Sequence, residues 1–243
     1  MKKFIMLLMA VSLAAVLAAC NGDDSAENKE DNKDKQAEQA SKPVEITDEE
    51  KVKEDKVVVK INGNDIKGKE YNDAYAQTKG MMSQYNQDVS DKKKLKDQTL
   101  NMIIQQELLK QDAKKQGIEV TDKEVKSEFD KVKSQNKEQF ESTLKQLHLT
   151  EEAYKDQLAF SLTLEKYVDS QLNTKVTDKE IQSYYDQLKK QNEAASEDKK
   201  QEMPKLEEIK DQIKSQLIKQ KENQQLQAKI QKLKDQAEIK KMI

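Results

Sequence analysis

Apolar residues along this chain follow three kinds of spacing. Residues 4–17 form an almost unbroken apolar run. Val57-Val58-Val59-Lys60-Ile61 is β-branched and is followed by Asn62-Gly63, a strong signal for a tight hairpin because both residues adopt positive φ readily. Asn64-Asp65-Ile66 then reads as a short returning strand. From Gly68 onward the spacing is helical. Tyr71, Ala74, Tyr75, Met81, Met82 and Tyr85 mark a helix from 68 to about 86. Leu95, Leu100, Ile103, Ile104, Leu108 and Ala113 mark a second, capped at Ser90 and running to Gln116, with Gly117 as the residue that ends it. Val125, Phe129 and Val132 predict a third helix. Phe140, Leu144 and Leu147 predict a short fourth. Thr150 caps a fifth with Tyr154, Leu158, Leu162, Val168 and Leu172, and Ile181, Tyr184, Tyr185 and Leu188 mark a sixth. The seventh carries Leu206, Ile209, Ile213, Leu217, Leu226, Ile230 and Leu233, with Pro204 in its first turn and an end near Gln236. Its middle, 219–225, is polar on all sides and is expected to cross open solvent.

Two helix starts are near copies. Val120-Thr121-Asp122-Lys123-Glu124-Val125 and Val176-Thr177-Asp178-Lys179-Glu180-Ile181 each place a threonine three residues before a glutamate, the pattern of a capping box. The stretches between them do not match, which reads as one helix-start device used twice rather than a solenoid. An isolated hairpin is marginal, so residues 57–66 need a further strand. Residues 238–243, Glu-Ile-Lys-Lys-Met-Ile, are the candidate, and pairing there would close the chain on itself. The expected fold is mainly α: a multi-helix domain with a small β-sheet joining the N- and C-terminal segments.

The apolar run at the start reads as processing rather than fold. Lys2 and Lys3 precede it, and it is shorter than the ~20 residues a spanning helix needs. It ends in Leu17-Ala18-Ala19-Cys20, which resembles a bacterial lipobox. Residues 1–19 are therefore expected to be a lipoprotein signal peptide, and Cys20 the site of diacylglycerol and palmitate-type acylation. Two acyl chains anchor stably where one is marginal. Cys20 is the only cysteine, so lipidation leaves neither a disulfide nor thiol chemistry. Residues 20–55 are rich in Asp, Glu, Lys, Asn and Gln and read as a lipidated cysteine followed by a disordered charged tether; residues 56–243 read as the folded domain, with 191–203 a polar linker inside it.

Composition narrows the function. Of 243 residues 37% are charged and 35% hydrophobic, with five Gly and two Pro, which favours long helices with much wet surface. Lys2 and Lys3 are the only charges in residues 1–19, so the remainder carries a net charge of −4 against −2 for the whole chain. That is no footprint for nucleic acid. There is no arginine, so no guanidinium clamp on phosphate or carboxylate is available. His148 is the only histidine, no His/Cys set has metal spacing, no Gly-rich phosphate loop is present, and no cofactor is implied. The residues left as candidates for a flexible apolar client-binding groove are Met81, Met82, Tyr85, Phe129, Phe140, Tyr154, Tyr184 and Tyr185, with the core as the alternative place for each.

Several stretches together are similar to SurA/PrsA-type foldases: 57–66 with its Asn-Gly turn, 100–109 and 113–125 with Gly117 and the Thr-Asp-Lys-Glu start, 149–154, 176–181, and the returning helix at 207–213. The resemblance covers most of residues 56–243. In that family a parvulin prolyl-isomerase domain commonly lies between the helix after the second Thr-Asp-x-Glu and the final helix; here about a dozen residues, 191–203, occupy that place without histidine or glycine. The resemblance thus implies the helical chaperone part without the isomerase part. It implies an ATP-independent holdase or foldase, lipid-anchored on the extracytoplasmic face of the cell membrane. Its partners would be unfolded or exported polypeptides, not nucleic acid, and a homodimer is left open. The lysine-only basic complement favours a Gram-positive surface. A structural or adaptor lipoprotein with one dedicated partner is the alternative; a peptidyl-prolyl isomerase ranks behind it, because no catalytic residue for one is found.

Overall fold

The computed structural model describes residues 46–135, 137–146, 149–194 and 203–243. The signal peptide, Cys20, the tether up to residue 45, His148 and residues 195–202 of the linker lie outside the described residues.

Strand β1 (Val57–Ile61) turns back into β2 (Asn64–Lys67) through Asn62 and Gly63, whose φ values are 51° and 88°. Positive φ at both positions makes a type I′ turn, whose twist suits adjoining strands. The C-terminal strand β3 (Ile239–Lys241) pairs antiparallel with β1, placing Ile61 opposite Ile239 in a sheet of order β2-β1-β3. Asn62 fastens this closure. Its side-chain Oδ1 accepts the Glu238 N–H at 2.9 Å, its backbone N–H donates to the Glu238 carbonyl at 2.9 Å, and its side-chain Nδ2 donates to Gln111 Oε1 at 2.8 Å. Helices α1 (Gly68–Gln84) and α2 (Lys92–Lys115) cover the sheet, and Val58, Val59, Ile61, Leu95 and Leu100 are fully buried there. The mainly α fold with a joining sheet is as the sequence predicts.

Four local expectations change. The folded body starts earlier than residue 56. Thr47 and Glu50 close a capping box on a short 3-10 helix, Ile46 and Val52 pack on the sheet core, and Asn72 bonds both backbone groups of Val52. Residues 46–55 thus belong to the body and not to the tether. Gly68 is required by this arrangement, because a Cβ there would sit 2.0 Å from the Lys53 carbonyl oxygen. Asp91, not Ser90, caps α2; Ser90 is turned away because its N–H and hydroxyl both donate to Asp88. Pro204 precedes the last helix, whose N-cap is Lys205.

Helices α3 (Asp122–Gln135), α4 (Lys137–Gln146) and α5 (Glu151–Gln171) enclose a second core, in which the rings of Phe129, Phe140 and Tyr154 meet edge-on at 5.2–6.1 Å. A third core joins α2, α5 and α7 (Leu206–Gln236) around Tyr167, Ala113 and Ile230. At its edge the buried Asp112 carboxylate accepts the Tyr167 hydroxyl at 2.5 Å and the Lys229 ammonium at 3.1 Å. Helix α6 (Asp178–Glu193) packs on the N-terminal half of α7, and Ile181 of α6 and Ile213 of α7 are both buried. The polar middle of α7 is not idle in solvent: Gln225 bonds both backbone groups of Asn173, and Lys221 grips the Lys175 carbonyl. Polar residues there dock a connecting loop, whose backbone groups need partners.

Candidate functional site

The eight candidate groove residues do not form one groove. Met81 and Tyr85 are exposed, 47% and 52%, one turn apart at the end of α1. Met82, beside them in sequence, is buried in the sheet core. Phe129 and Phe140 are buried in the second core and Tyr154 is half-buried at its margin, so this trio is packing rather than open lining. Tyr184 and Tyr185 are half-buried on α6, their hydroxyls bonded to Gln216 Nε2 at 2.6 Å and to the Pro204 carbonyl at 2.9 Å. Lone helix periodicity marked all eight as apolar-face residues, but the 3.6-residue period cannot tell a face covered by another helix from one left partly wet.

A surface the sequence did not single out lies on α5. Every residue from Gln157 to Leu164 is half-buried, including Leu158, Phe160, Leu162 and Leu164. This stretch lies between two cores: Leu158 packs on the second, and Phe160 and Leu164 on the third. The start of α5 faces α1. The Lys69 ammonium reaches the Glu152 carboxylate at 3.2 Å, and Asp73 lies within the field of Asp156, Glu54 and Glu152. Burial pushes the Asp73 and Glu70 carboxyls above their ordinary values, Lys69 and Lys110 respectively oppose this, and neighbouring carboxylates add to it. This end of α5 is therefore a partly desolvated, net acidic seam.

The two Thr-Asp-Lys-Glu starts are more alike in space than in sequence. In the first, Glu124 Oε2 accepts the Thr121 N–H at 2.8 Å and the Thr121 hydroxyl at 2.9 Å; in the second, Glu180 Oε2 accepts those of Thr177, both at 2.9 Å. The other oxygen of each glutamate receives a lysine from a later helix, Lys166 of α5 or Lys221 of α7, at 2.7 Å in both. Each lysine also donates to the carbonyl two residues before the threonine, Glu119 at 2.8 Å and Lys175 at 2.6 Å. The lysine hydrogen bonds, then those of the threonines, hold both glutamates at about 2. The correspondence extends further. Lys166 and Lys221 follow the N-caps Thr150 and Lys205 at the same distance along their helices. Val125, Phe129 and Val132 of α3 match Ile181, Tyr185 and Leu188 of α6, while Tyr154 and Leu158 of α5 match Ile209 and Ile213 of α7. The pairs α3–α5 and α6–α7 are thus two versions of one unit. The short repeat was visible in the sequence; the lysines that complete it were not, because they come from helices more than forty residues away.

Two cavities, of about 110 and 230 Å³, lie beside Asp112 and Glu50. Both are below the roughly 300 Å³ at which small-molecule sites begin. Among the described residues no group of three or more His, Cys, Asp or Glu is placed to hold a metal ion, and no helix is long and apolar enough to cross a membrane.

Among the described residues the body is largely helical, with a small sheet in which the C-terminal strand pairs with β1. The family described as the SurA-like N-terminal domain matches residues 44–168, and the chain belongs to it. The matched range takes in residues 46–55, of which Ile46 and Val52 pack on the sheet core. The chain is similar to the foldase protein PrsA of Caldanaerobacter subterraneus subsp. tengcongensis, 35% identical over 144 residues, covering 55% of this chain and 43% of that protein. It is also similar to the foldase protein PrsA of Clostridium botulinum, 30% identical over 162 residues, covering 59% of this chain and 48% of that protein. These matches span less than half the length of each relative, and no parvulin domain is evident in them.

Proposed function

We infer that this chain is a membrane-anchored, extracytoplasmic, ATP-independent chaperone, a holdase or foldase for exported polypeptides, tethered through Cys20. Membership of the SurA-like N-terminal domain family and relatives named as foldases support a chaperone role. The observation that carries the mechanism is the half-buried stretch Gln157 to Leu164 of α5. Apolar surface that is partly wet on several sides gains about 25 cal/mol for each Å² of client surface it covers. Each of these side chains exposes little area, so contacts are individually weak and release needs no nucleotide. Exposed ion pairs around it, such as Lys69–Glu152 and Lys133–Glu151, keep the loaded body in solution. In this reading the chain acts by binding, without catalysis.

The test is suppression of aggregation of an unrelated unfolded protein by the purified chain without nucleotide, run beside a prolyl-peptide isomerisation assay. Suppression near an equimolar ratio with no isomerisation is expected. A folded chain, shown so by circular dichroism, that suppresses nothing overturns the reading in favour of an adaptor for one dedicated partner. Isomerisation above the uncatalysed rate overturns the non-enzymatic part of it. Globomycin-sensitive processing and lipid labelling lost in Cys20→Ser test the anchor, and sedimentation of the purified chain tests the homodimer.

A further inference from the structure

The cavity of about 230 Å³ beside Glu50 is bounded by Lys51 and Lys56, which precede the sheet, and by Lys92 and Lys96, one turn apart on α2. Most of the charge around it is matched. Lys51 pairs with Asp48 at 3.0 Å, Lys92 with Glu49 at 2.8 Å, and Glu50 with Lys79 at 2.7 Å. Lys56 and the half-buried Lys96 have no carboxylate partner among the described residues. The exposed Asp97 also acts on this site through its field at Tyr71. Two lysines thus stand against one aspartate, and the cavity keeps an excess of positive charge. Tyr71 lines the same cavity and is 2% exposed. Buried hydroxyls are normally hydrogen-bonded, as those of Tyr75 and Tyr167 are, to Glu50 and Asp112. The Tyr71 hydroxyl has no partner among the described residues, yet its oxygen is not sealed in the core. It opens on the cavity with its hydrogen unused. Burial, then Asp97 and Glu50, push it up to about 12, so it stays a donor.

We propose that this cavity binds a phosphodiester group, held by the Lys56 and Lys96 ammonium groups and the Tyr71 hydroxyl. A phosphodiester carries one negative charge, which the excess of one lysine over Asp97 neutralises. Its free oxygens accept the three unused donors, and a hydrogen bond to an ionised acceptor is about twice as strong as one between neutral groups. The cavity is smaller than the roughly 300 Å³ at which whole small-molecule sites begin, so it takes a head group whose remainder stays outside. A phospholipid and a soluble diester both offer this group. The wall from Glu49 to Val52 closely follows the segment that leads back to Cys20, so on a chain anchored there the cavity is held near lipid headgroups. The site itself is independent of the chaperone reading; only the lipid source rests on the anchor.

The probe is glycerophosphoglycerol, the water-soluble headgroup of phosphatidylglycerol, titrated into the full chain at constant ionic strength. Hydrogen exchange read by mass spectrometry is expected to show saturable protection in the segments that hold Glu49 to Lys56, Tyr71 and Lys92 to Lys96. Lys56→Gln and Lys96→Gln should each weaken binding roughly fivefold, the size of one partly exposed charge contact. Tyr71→Phe, which keeps the ring in place, should weaken it roughly two- to fivefold, with the unfolding midpoint near that of the parent. Lys114→Gln, at the other end of α2, should leave it unchanged. Phosphatidylcholine vesicles with and without phosphatidylglycerol separate the sources. Protection that grows with phosphatidylglycerol supports a lipid occupant, and protection by the soluble diester alone supports the site with a soluble occupant. No saturable protection overturns the proposal. So does equal protection by acetate, which would make the site one for carboxylates, and so does a loss in Lys114→Gln as large as in Lys96→Gln, which would reduce the effect to general screening. Aggregation suppression should be unchanged in Lys96→Gln, so the site and the chaperone reading fail separately.

Discussion

Glu50 and Lys79 form a buried ion pair: Glu50 Oε1 lies 2.7 Å from the Lys79 ammonium, with side-chain exposures of 2% and 10%. The Tyr75 hydroxyl donates to the same oxygen at 2.9 Å, and the Thr47 N–H to the other at 2.8 Å. Burial works against ionisation of Glu50, but Lys79, then the Thr47 N–H and the Tyr75 hydroxyl outweigh it and hold the carboxyl at about 2. The pair, with Tyr75, ties the short 3-10 helix to α1.

Breaking this pair should cost far more than breaking a surface one. Glu50→Gln leaves the Lys79 charge buried without its carboxylate and is expected to destabilise by about 3 kcal/mol in urea titration. Glu49→Gln, which loses only the exposed contact to Lys92, should fall within about 0.5 kcal/mol of the parent. The folded value for Glu50 is below its ordinary 4.5, so its contribution is complete above that pH and is lost as the pH falls through about 2. Equal effects of the two substitutions would show that Glu50 is not desolvated in solution.

Asp73 should behave with the opposite sign. Burial chiefly, with Asp156, Glu54 and Glu152, raises its folded value above the ordinary 3.8, against the pull of Lys69. The folded chain then holds this proton more tightly than the unfolded chain, so the Asp73 contribution favours folding at low pH and fades as the pH rises from 3.8 through the raised value. Asp73→Asn is expected to be more stable than the parent at pH 7, with the gap closing as the pH falls. A gap that widens on acidification would mean that Asp73 is held by a cation instead.

Lys166→Ala and Lys221→Ala should have matched local effects. Each is expected to raise amide exchange in the first turn of α3 or of α6 by roughly two- to fivefold, the size expected of an exposed ion pair, with no change in the other unit. Hydrogen exchange read by mass spectrometry distinguishes this from a general loss of stability, in which both units would respond to either substitution.

Equivalent positions in the two units should differ in cost. Phe129→Ala removes a ring buried against Phe140 and Tyr154 and is expected to destabilise by about 3–4 kcal/mol. Tyr185→Ala, on the half-buried face of α6, should cost about 1 kcal/mol in the same denaturation measurement. Similar costs would mean that the α6 face is as fully covered as that of α3.

Local chemistry was sufficient for most of the secondary structure. Asn62-Gly63 determines its own turn, because few residue pairs tolerate two positive φ values. Thr121 with Glu124 and Thr177 with Glu180 determine where α3 and α6 begin, since donor and acceptor are three residues apart. Gly117 ends α2 with φ at 73°. The start of α2 falls one residue beyond the position the spacing predicts, because Ser90 donates to Asp88 and leaves Asp91 to cap the helix.

What the sequence determined by itself, then, is the set of elements, the mainly α class and the meeting of residues 57–66 with the C-terminal strand, all of which follow from interactions within a few residues or from a strand that needs a partner. Only the tertiary structure decided which apolar residues are covered. It buried Met82, Phe129 and Phe140, left Met81 and Tyr85 exposed, and left the faces of α5 and α6 half-wet. It also drew residues 46–55 into the body through Glu50 and Lys79, and supplied Lys166 and Lys221 to glutamates far away in the chain. Burial and long-range ion pairs depend on how helices sit against one another, and helical periodicity records only that a face is apolar, not what lies across from it.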